Sequence, residues 1–288
     1  MHGPVESTEH VATTAPAPHT ARLPAPLPDV WARTALTIVM PTYNEAENLP
    51  GMAKELMALG LEGLRLLVVD DNSPDGTGRV AEELAEQYPG RIDVLHRTTK
   101  DGLGRAYAAG MTRAVDDGAA YVLQMDADGS HPVEYVPQML GSALSTGAGL
   151  VVGSRYVCGG RLAEEWGLHR RLLSRWANRY VSTVLRTGLR DATAGFVLWR
   201  ADAVRAARLD QVRSSGYSFQ VELKYQAVGA GFTALEIPIH FEERQIGASK
   251  MSAAVQVESA IMPWRIRLDA IRAPRKGNAR PAGRGAGR

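Results

Sequence analysis

The stretch that decides the fold reads Met125-Asp126-Ala127-Asp128-Gly129-Ser130-His131-Pro132. It follows the short apolar run 121–125, which is typical of a buried parallel strand. Pro132 has a fixed φ that suits the first turn of a helix. Asp126 and Asp128 therefore lie where a strand meets a helix, at the edge where open α/β sheets bind ligands. Carboxylates at alternate positions there can share one hard cation, such as Mg²⁺ or Mn²⁺, and position a diphosphate on it.

An Asp-rich turn is the simpler explanation of an isolated Asp-x-Asp, because Asp side chains hydrogen-bond nearby backbone groups. The rest of the chain weakens that explanation. Charged side chains follow three more apolar runs: Glu45 follows 35–40, Asp70 and Asp71 follow 64–69, and Arg155 follows 149–153. Packing alone does not explain polar groups placed repeatedly after strands. The repetition predicts a functional edge of a sheet.

Strand-like runs alternate with helical patterns, which predicts a doubly wound, mostly parallel α/β sheet flanked by helices. The expected strands are 35–40, 64–69, 92–96, 121–125, 149–153, 196–199 and 234–241. Pro238 places the last of them at an edge or a bulge. Asn44 and Glu47 have the pattern of a capping box, which predicts a helix from there to about residue 59. Further helices are expected at 78–87, after Gly102, after Pro132, at 164–185 and at 215–229.

Three common phosphate or metal motifs do not fit this sequence. Gly102 and Gly104 invite a dinucleotide-binding interpretation, but Tyr107 stands at the position of the third glycine, and the motif does not follow the first strand. The sequence contains no Gly-x-x-x-x-Gly-Lys-Ser/Thr loop and no His-Glu-x-x-His helix. We therefore exclude these three classes of site.

Composition sets further bounds on function. Of the 288 residues, 45% are apolar, which is enough to bury a substantial core. The formal net charge of +2 does not indicate a nucleic-acid-binding protein. The single cysteine, Cys158, excludes an internal disulfide and fits a reducing compartment. No run has the roughly 20 mostly apolar residues that a membrane-spanning helix needs.

The two ends of the chain differ from its middle. Residues 1–33 contain several prolines and no secretory signal pattern, so we expect a disordered leader before a single domain at 34–252. An amphipathic helix is expected at 253–273 and a disordered basic tail at 274–288. From Arg272 onward there are six basic residues and no acidic ones.

Three basic segments lie in the second half of the chain. Two of them are open to two interpretations, and the third has the pattern of an anion-binding loop. The run 164–185 carries Arg170, Arg171, Arg175 and Arg179 between apolar side chains, and forms either a solvated basic face or a functional one. The loop 244–250 is basic with a central glycine, which suits the wrapping of an anion. The segment 255–273 alternates apolar residues with arginines, so it either lies on an anionic membrane surface or packs on the domain.

Four motifs in order resemble those of the inverting glycosyltransferases of the GT-A fold, family two. They are Val39-Met40-Pro41-Thr42-Tyr43-Asn44-Glu45, the run from Val68 to Thr77, Met125-Asp126-Ala127-Asp128, and Gly153-Ser154-Arg155-Tyr156. The closer resemblance is to the polyprenol-phosphate (dolichol-phosphate) mannose synthases. The loop 244–250, the segment 191–196 and the pair Arg170 and Ser174 carry it. The resemblance covers about residues 35–252.

The resemblance implies a role for each matching residue. The nucleotide pocket would be lined by Pro41, Tyr43, Glu45, Val69 and Asp71. The sugar diphosphate would be flanked by Asp126, Ala127 and Asp128, with the metal on Asp126, Asp128 and Ser130. In some members of the family a glutamine binds the metal at the position of Ser130. His131 is a poorer substitute for that ligand than Ser130, because imidazole suits softer metals. Donor phosphates would contact Arg155, Arg244 and Lys250, and these three residues with Asp128 would form the catalytic set. The acceptor phosphate would contact Arg155, Arg170 and Ser174.

The implied reaction transfers mannose from GDP-mannose to a polyprenyl phosphate with inversion, using Mg²⁺ or Mn²⁺. The implied location is cytoplasmic, on the cytoplasmic face of a membrane, reached through the segment 255–273 or through a membrane-embedded partner protein. Nucleic acid is not an expected partner. Two alternatives stay open: transfer of glucose from UDP-glucose to the same lipid, and a non-catalytic protein that binds nucleotide sugars.

Overall fold

A computed structural model describes residues 27–163, 166–212, 218–241 and 261–269. Its centre is a seven-stranded sheet: β1 (Leu36–Thr42), β2 (Leu64–Asp70), β3 (Ile92–His96), β4 (Tyr121–Gln124), β5 (Leu150–Ser154), β6 (Val197–Arg200) and β7 (Ala234–Pro238). The strand order is β3-β2-β1-β4-β6-β5-β7. Among these seven strands, only β6 runs antiparallel to its neighbours, β4 and β5. The predicted mostly parallel α/β sheet is therefore confirmed.

Eight α-helices, α1 to α8, surround the sheet within the described residues, and a further helix lies at 261–269. The eight are α1 (Asp29–Ala32), α2 (Leu49–Met57), α3 (Thr77–Gln87), α4 (Leu103–Asp116), α5 (Val136–Thr146), α6 (Leu168–Leu185), α7 (Ala201–Ala206) and α8 (Ser218–Gly229). Short 3₁₀ helices lie at Val133–Tyr135 and Leu209–Gln211.

The sheet separates two hydrophobic clusters because successive side chains of a strand point to opposite faces. Ile38 of β1 packs with residues of α2, α3 and α5 on one face. Val39, the next residue, packs with residues of α4, α6, α7 and α8 on the other. Helix α4 approaches the sheet closely at Gly110, where a Cβ atom would lie 2.4 Å from Cγ1 of Val39 and 2.7 Å from Cγ2 of Val69. Glycine is required at that contact.

The predicted capping box is wrong. Asn44 has a left-handed φ of 62°. The N-cap position of α2 is Asn48, four residues later, and it makes no side-chain cap bond. The segment is held by its neighbour in the fold instead. The amide of Glu45 donates to Oγ1 of Thr77 (2.9 Å), and the amide of Ala46 donates to Oδ2 of Asp75 (3.1 Å). These contacts to the turn before α3 replace the local cap.

Other boundaries differ by a few residues. Helix α6 begins at Leu168 rather than at 164, and β7 ends at Pro238 rather than at 241. The edge position that Pro238 predicted for β7 is confirmed, because β7 pairs only with β5 in the described sheet. Helix α7 was not expected. The predicted helix from 215 is described from Ser218, since 213–217 lie outside the described residues.

The described part of the C-terminal segment is a helix at 261–269. Its Ile266 is buried in the cluster shared with α6, and Nη1 of Arg267 donates to the carbonyl of Val184 in α6. Within the described residues this helix therefore packs on the domain. None of the described helices combines the length and the apolar character that a membrane crossing requires. Residues 1–26 of the predicted leader 1–33 and the whole predicted tail 274–288 lie outside the described residues, as do 253–260 and 270–273 of the predicted amphipathic helix. Asp29–Ala32 of the predicted leader form α1.

Candidate active site

The charged residues that follow the strands meet at one edge of the sheet. Strands β1, β2 and β4 are parallel neighbours, so that the segments after them, which contain Glu45, Asp71 and Asp126, leave the sheet at the same edge. Strand β5 runs in the same direction as β4, because the antiparallel β6 lies between them. Arg155, directly after β5, therefore joins the same edge. This topology brings together the four groups that the sequence placed after strands.

The Asp-x-Asp corner is held by hydrogen bonds from α4 and from its own turn. The hydroxyl of Tyr107 in α4 donates to Oδ1 of Asp126 over 2.6 Å. The amide of Ser130 donates to Oδ1 of Asp128 over 3.1 Å, within a buried turn. Burial, together with the nearby Asp126 carboxylate, raises the pKa of Tyr107 well above its ordinary value, so this phenol stays protonated and donates. The two carboxylates are thus oriented before any ligand arrives.

The donor set of this corner fits a hard cation. Asp126 and Asp128 present carboxylate oxygens and Ser130 a hydroxyl, and Mg²⁺ and Mn²⁺ favour oxygen ligands of this kind. No group of three or more His, Cys, Asp or Glu side chains in the described part of the chain could hold a metal. Mg²⁺ usually needs only one or two protein carboxylates when substrate phosphates and waters complete its shell. The corner fits a cation that is bound together with a phosphorylated ligand.

His131 has a structural role in the corner. Its Nδ1 accepts from the amide of Asp126 (2.9 Å), and its ring stacks on Phe196 at 5.0 Å between centroids. A Cβ atom on Gly195 would lie 3.5 Å from Cε1 of His131. The imidazole therefore joins the corner to the segment 191–196.

The segment 191–196 in turn holds Arg155. Nε and Nη2 of Arg155 donate to Oδ2 and Oδ1 of Asp191 at 2.8 and 2.7 Å, and the amide of Arg155 also donates to Oδ2 at 3.0 Å. Nη2 reaches Oγ1 of Thr193 at 3.0 Å. Asp191 is fully buried, which by itself would raise its pKa, but the Arg155 guanidinium holds that pKa below the usual range. Arg155 is thus fixed by a buried, ionised carboxylate.

A buried lysine lies behind this ion pair. Nζ of Lys224 in α8 donates to the carbonyl of Ala194, and the side chain is inaccessible to solvent. Burial lowers the pKa of Lys224 to about 7, while the Asp191 carboxylate acts in the opposite direction. Glu236 of β7 accepts from the amides of Arg190 and Asp191, each at 2.8 Å. The side chains of Arg155, Asp191, Lys224 and Glu236 therefore position the loop 190–196.

Two of the predicted nucleotide-pocket residues have charged partners. Asp71 is buried and paired with Arg97, which also contacts Asp101. Burial raises the pKa of Asp71, and the Arg97 guanidinium opposes that rise. Nζ of Lys100 lies 3.2 Å from the centroid of the Tyr43 ring. Charged groups of the segment after β3 therefore lie beside both residues.

The other predicted pocket residues are placed by β1, β2 and β4. Oε2 of Glu45 accepts from Nδ2 of Asn48 over 2.7 Å, and Pro41 pairs with Val69 across β1 and β2. The side chain of Val69 lies in the core against α4, so the prediction for Val69 can concern only its main chain. Ala127 is buried in the other cluster. Their roles toward a nucleotide stay predictions.

Two of the three predicted acceptor residues, Arg170 and Ser174, lie on the first two turns of α6. Cζ of Arg170 lies 3.9 Å from the centroid of the Trp166 ring. Oγ of Ser174 accepts from the hydroxyl of Tyr156 over 2.6 Å, which brings it beside the segment of Arg155. Arg244 and Lys250 lie outside the described residues, so their predicted contacts with phosphates stay predictions.

Several residues of this site escaped sequence reasoning. Arg97, Lys100, Tyr107 and Lys224 received no role, although each contacts a predicted residue or its loop. Only the position of Lys224 in the sequence indicated an unusual environment. It directly follows Leu223 in a helical run whose apolar residues should be buried, and a lysine among buried residues is unusual. The other three are ordinary residue types at their positions in the sequence.

Comparison with known proteins identifies the family of this chain. The sequence model described as glycosyl transferase family 2 matches residues 37–207. A polyprenol monophosphomannose synthase of Mycolicibacterium smegmatis is 43% identical over 232 residues, which are 80% of this chain and 86% of that protein. An undecaprenyl-phosphate mannosyltransferase of Micrococcus luteus is 44% identical over 226 residues, 78% and 90% of the two chains. The protein is a glycosyltransferase, and it belongs to glycosyl transferase family 2.

Solved structures share the fold. A mannosyl-3-phosphoglycerate synthase from Rubrobacter xylanophilus has a TM-score of 0.56 at 20% identity, covering 86% of this chain and 81% of its own. A mannosyltransferase from Pyrobaculum calidifontis, in complex with GDP-Man and Mn²⁺, has a TM-score of 0.56 at 18% identity. The match covers 84% of this chain and 66% of that one. At such identities the likeness concerns the fold, and the predicted GT-A-like architecture is confirmed.

Proposed function

We propose that the protein transfers mannose from GDP-mannose to the phosphate of a polyprenyl monophosphate, with inversion at the anomeric carbon. The observation that carries the proposal is one edge of the sheet, where the Asp126–Asp128 corner and Arg155 are both joined to the segment 191–196. The two relatives above 40% identity, whose names specify mannose and a polyprenyl phosphate, support this choice of donor sugar and acceptor.

The acceptor needs no strong general base. A phosphate monoester is already anionic near neutral pH, so its oxygen can attack the anomeric carbon directly. The sugar–phosphate bond of the donor breaks as the new bond forms on the opposite face, and GDP leaves with the bonding electrons. An α-linked donor then gives a β-linked product. The protein's task is to orient two anionic reactants and to stabilise the charge of the departing diphosphate.

Asp126 and Asp128, with Ser130, would hold a divalent cation between the protein and the donor diphosphate. Such a cation neutralises negative charge on the leaving group. Tyr107 fixes the orientation of Asp126, and the buried turn fixes Asp128. Mn²⁺ in the related Pyrobaculum structure supports a divalent cation in this fold. Either Mg²⁺ or Mn²⁺ suits these oxygen ligands.

Basic side chains would hold the phosphates. Arg155 is fixed by Asp191 and Thr193, so it can meet a phosphate with little loss of conformational entropy. Arg170 and Ser174 of α6 would bind the acceptor phosphate, while Arg244 and Lys250 would screen the repulsion between donor and acceptor. On the nucleotide side, Pro41, Tyr43, Glu45, Val69 and Asp71 would contact the guanosine.

The acceptor tail requires access to a bilayer, and we infer that the protein works at the cytoplasmic surface of a membrane. The exposed apolar side chains of the helix 261–269 support attachment to a membrane surface: Ile261, Trp264 and Leu268 are each about half exposed. A membrane-embedded partner protein could provide the same attachment.

One assay tests the proposed function. The purified full chain is incubated with Mg²⁺, a polyprenyl phosphate, and either radiolabelled GDP-mannose or UDP-glucose, and the lipid fraction is counted. We expect label in the lipid from GDP-mannose only, and none when EDTA is added. Label in the lipid from UDP-glucose only would show that the protein transfers glucose, and not mannose, to the lipid. No transfer from either donor, with nucleotide sugar still bound, would indicate a non-catalytic binding protein.

A further inference from the structure

A basic cavity lies beside the proposed acceptor residues, and most of its lining has no part in the proposed reaction. It has a volume of about 790 Å³, between α6 and the loop that precedes β6. We call it the arginine cleft, defined by Arg175 and Arg179 of α6 and Arg190 of the loop; Arg155, Tyr156 and Trp176 also line it. Three guanidinium groups around one open cavity attract an anion.

The charge of the arginine cleft is not neutralised by the part of the chain that the structure describes. Within those ranges, no acidic side chain forms an ion pair with its three arginines, and all three are exposed. Two carboxylates of the adjoining segments are engaged elsewhere: Asp191 with Arg155, and Glu236 with the amides of Arg190 and Asp191. Helix α6 itself contains four arginines and no acidic residue. The described lining of the cleft therefore carries a net positive charge.

An exposed apolar row accompanies these arginines along α6. Leu168, Leu172 and Trp176 recur every four residues, so they lie on one side of the helix. Together with Leu173 they are each more than half exposed to solvent. Trp176 belongs to both features, because it lines the cleft and stacks on Tyr180 at 5.5 Å. Apolar anchors beside a row of arginines are typical of a helix in a membrane interface.

We propose that the arginine cleft binds the phosphate headgroups of anionic phospholipids while the apolar row of α6 enters the same leaflet. Two observations favour phospholipids over the acceptor phosphate as the occupant. Arg170 and Ser174, together with Arg155 at the border of the cleft, already form a candidate site for the acceptor at the start of α6. The apolar row beside the arginines, in which four side chains are each more than half exposed, is also typical of a helix in a membrane interface.

This inference deepens the proposed function and rests on it in one respect, that the acceptor lies in the same bilayer. Docking by α6 would bring Arg170, Ser174 and the Arg155 segment to the membrane surface together. The helix 261–269 is attached to the end of α6, because Arg267 donates a hydrogen bond to the carbonyl of Val184. Its own exposed apolar residues would then add to the docked surface.

Sedimentation with vesicles tests the proposal without any donor or turnover. The full chain and the double variant Arg175→Gln with Arg179→Gln are mixed with sucrose-loaded vesicles of phosphatidylcholine, with or without phosphatidylglycerol. The matched control, Arg65→Gln with Arg205→Gln, removes the same charge from exposed sites elsewhere. We expect the cleft variant to lose about tenfold or more in binding to anionic vesicles, since each basic group at a membrane surface contributes roughly fivefold. The control should lose far less.

Turnover with a short-chain, water-soluble polyprenyl phosphate shows whether the cleft binds the phosphate of phospholipids or that of the acceptor. We expect the cleft variant to match the wild type in this assay. A raised KM for the soluble acceptor would assign the cleft to the acceptor and overturn the proposal, as would unchanged vesicle binding or an equal loss in the control. Leu172→Ser with Trp176→Ser should lower binding to both vesicle types. Failure of turnover in the wild type would contradict the proposed function but leave the vesicle result standing.

Discussion

Asp191 and Arg155 form a buried ion pair in which two guanidinium nitrogens meet two carboxylate oxygens at 2.7 and 2.8 Å. The carboxylate is fully buried and the arginine side chain is 11% exposed. Such a two-point contact fixes the plane of the guanidinium as well as its position. The pair thus sets the direction in which Arg155 faces the sheet edge.

Asp191→Asn should weaken this pair without changing the size of the side chain. Breaking one partner of a buried pair costs about 3–5 kcal/mol, so we expect a clear fall in the free energy of unfolding and a fall of about tenfold or more in kcat. Denaturant unfolding and initial rates check both. Asp202→Asn is the control, because its pair with Arg200 is more exposed and should contribute less than about 1 kcal/mol. Equal effects of the two substitutions would contradict the role of Asp191.

Tyr107→Phe should loosen the Asp126 carboxylate. It removes the 2.6 Å hydrogen bond that orients Asp126, so we expect the Mg²⁺ concentration for half-maximal rate to rise several-fold, with a smaller change in kcat. Metal titration of the initial rate measures this. Tyr121→Phe is the matched control on β4, at the opposite end of the strand from Asp126. A Tyr107→Phe enzyme with the wild-type metal requirement would show that this bond does not position the carboxylate.

Lys224 should make stability depend on pH. Its pKa is about 7 in the folded protein and 10.5 in its ordinary environment, so between these values the unfolded chain binds more protons than the folded one. The free energy of unfolding therefore rises with pH from about 7 toward 10 on account of this group. Urea unfolding at several pH values across that range should show this rise in the wild type and a flatter profile in Lys224→Met. Parallel profiles would contradict the burial of a neutral lysine.

Gly110 and Gly51 offer a paired test of the packing. Both lie in helices, but a Cβ atom at Gly110 would meet Val39 and Val69, whereas nothing lies within 4 Å at Gly51. We expect Gly110→Ala to destabilise the protein by about 1–3 kcal/mol through overpacking. Gly51→Ala should stabilise it by roughly 0.5–1 kcal/mol because alanine favours a helix. Thermal unfolding of both variants provides the comparison.

Local patterns predicted most of the sheet. The strands β2, β3 and β4 lie within a residue of their expected ends, since alternation of apolar runs and turns is a short-range signal. The residues after the strands could be placed at one edge for the same reason. The cap at Asn44 failed because contacts to Asp75 and Thr77, about thirty residues along the chain, override the local pattern.

Contacts between distant segments account for what sequence reasoning missed in the site. Asp191 lies 36 residues after Arg155, and Lys224 lies 30 residues after the carbonyl that it contacts. No periodicity links such positions. The motif at 191–196 was recognisable by resemblance, but its function as the support of Arg155 is visible only in the fold.

In the proposed reaction, Asp128 helps to hold a divalent cation against the donor diphosphate. The most direct measurement is mannosyl transfer from GDP-mannose by Asp128→Ala with saturating Mg²⁺, beside the wild type, with thermal unfolding to verify the fold. We predict a folded protein with a rate lower by roughly a thousandfold or more, as expected when a cation ligand that acts on the leaving group is lost. A folded variant with a rate close to that of the wild type would contradict the account.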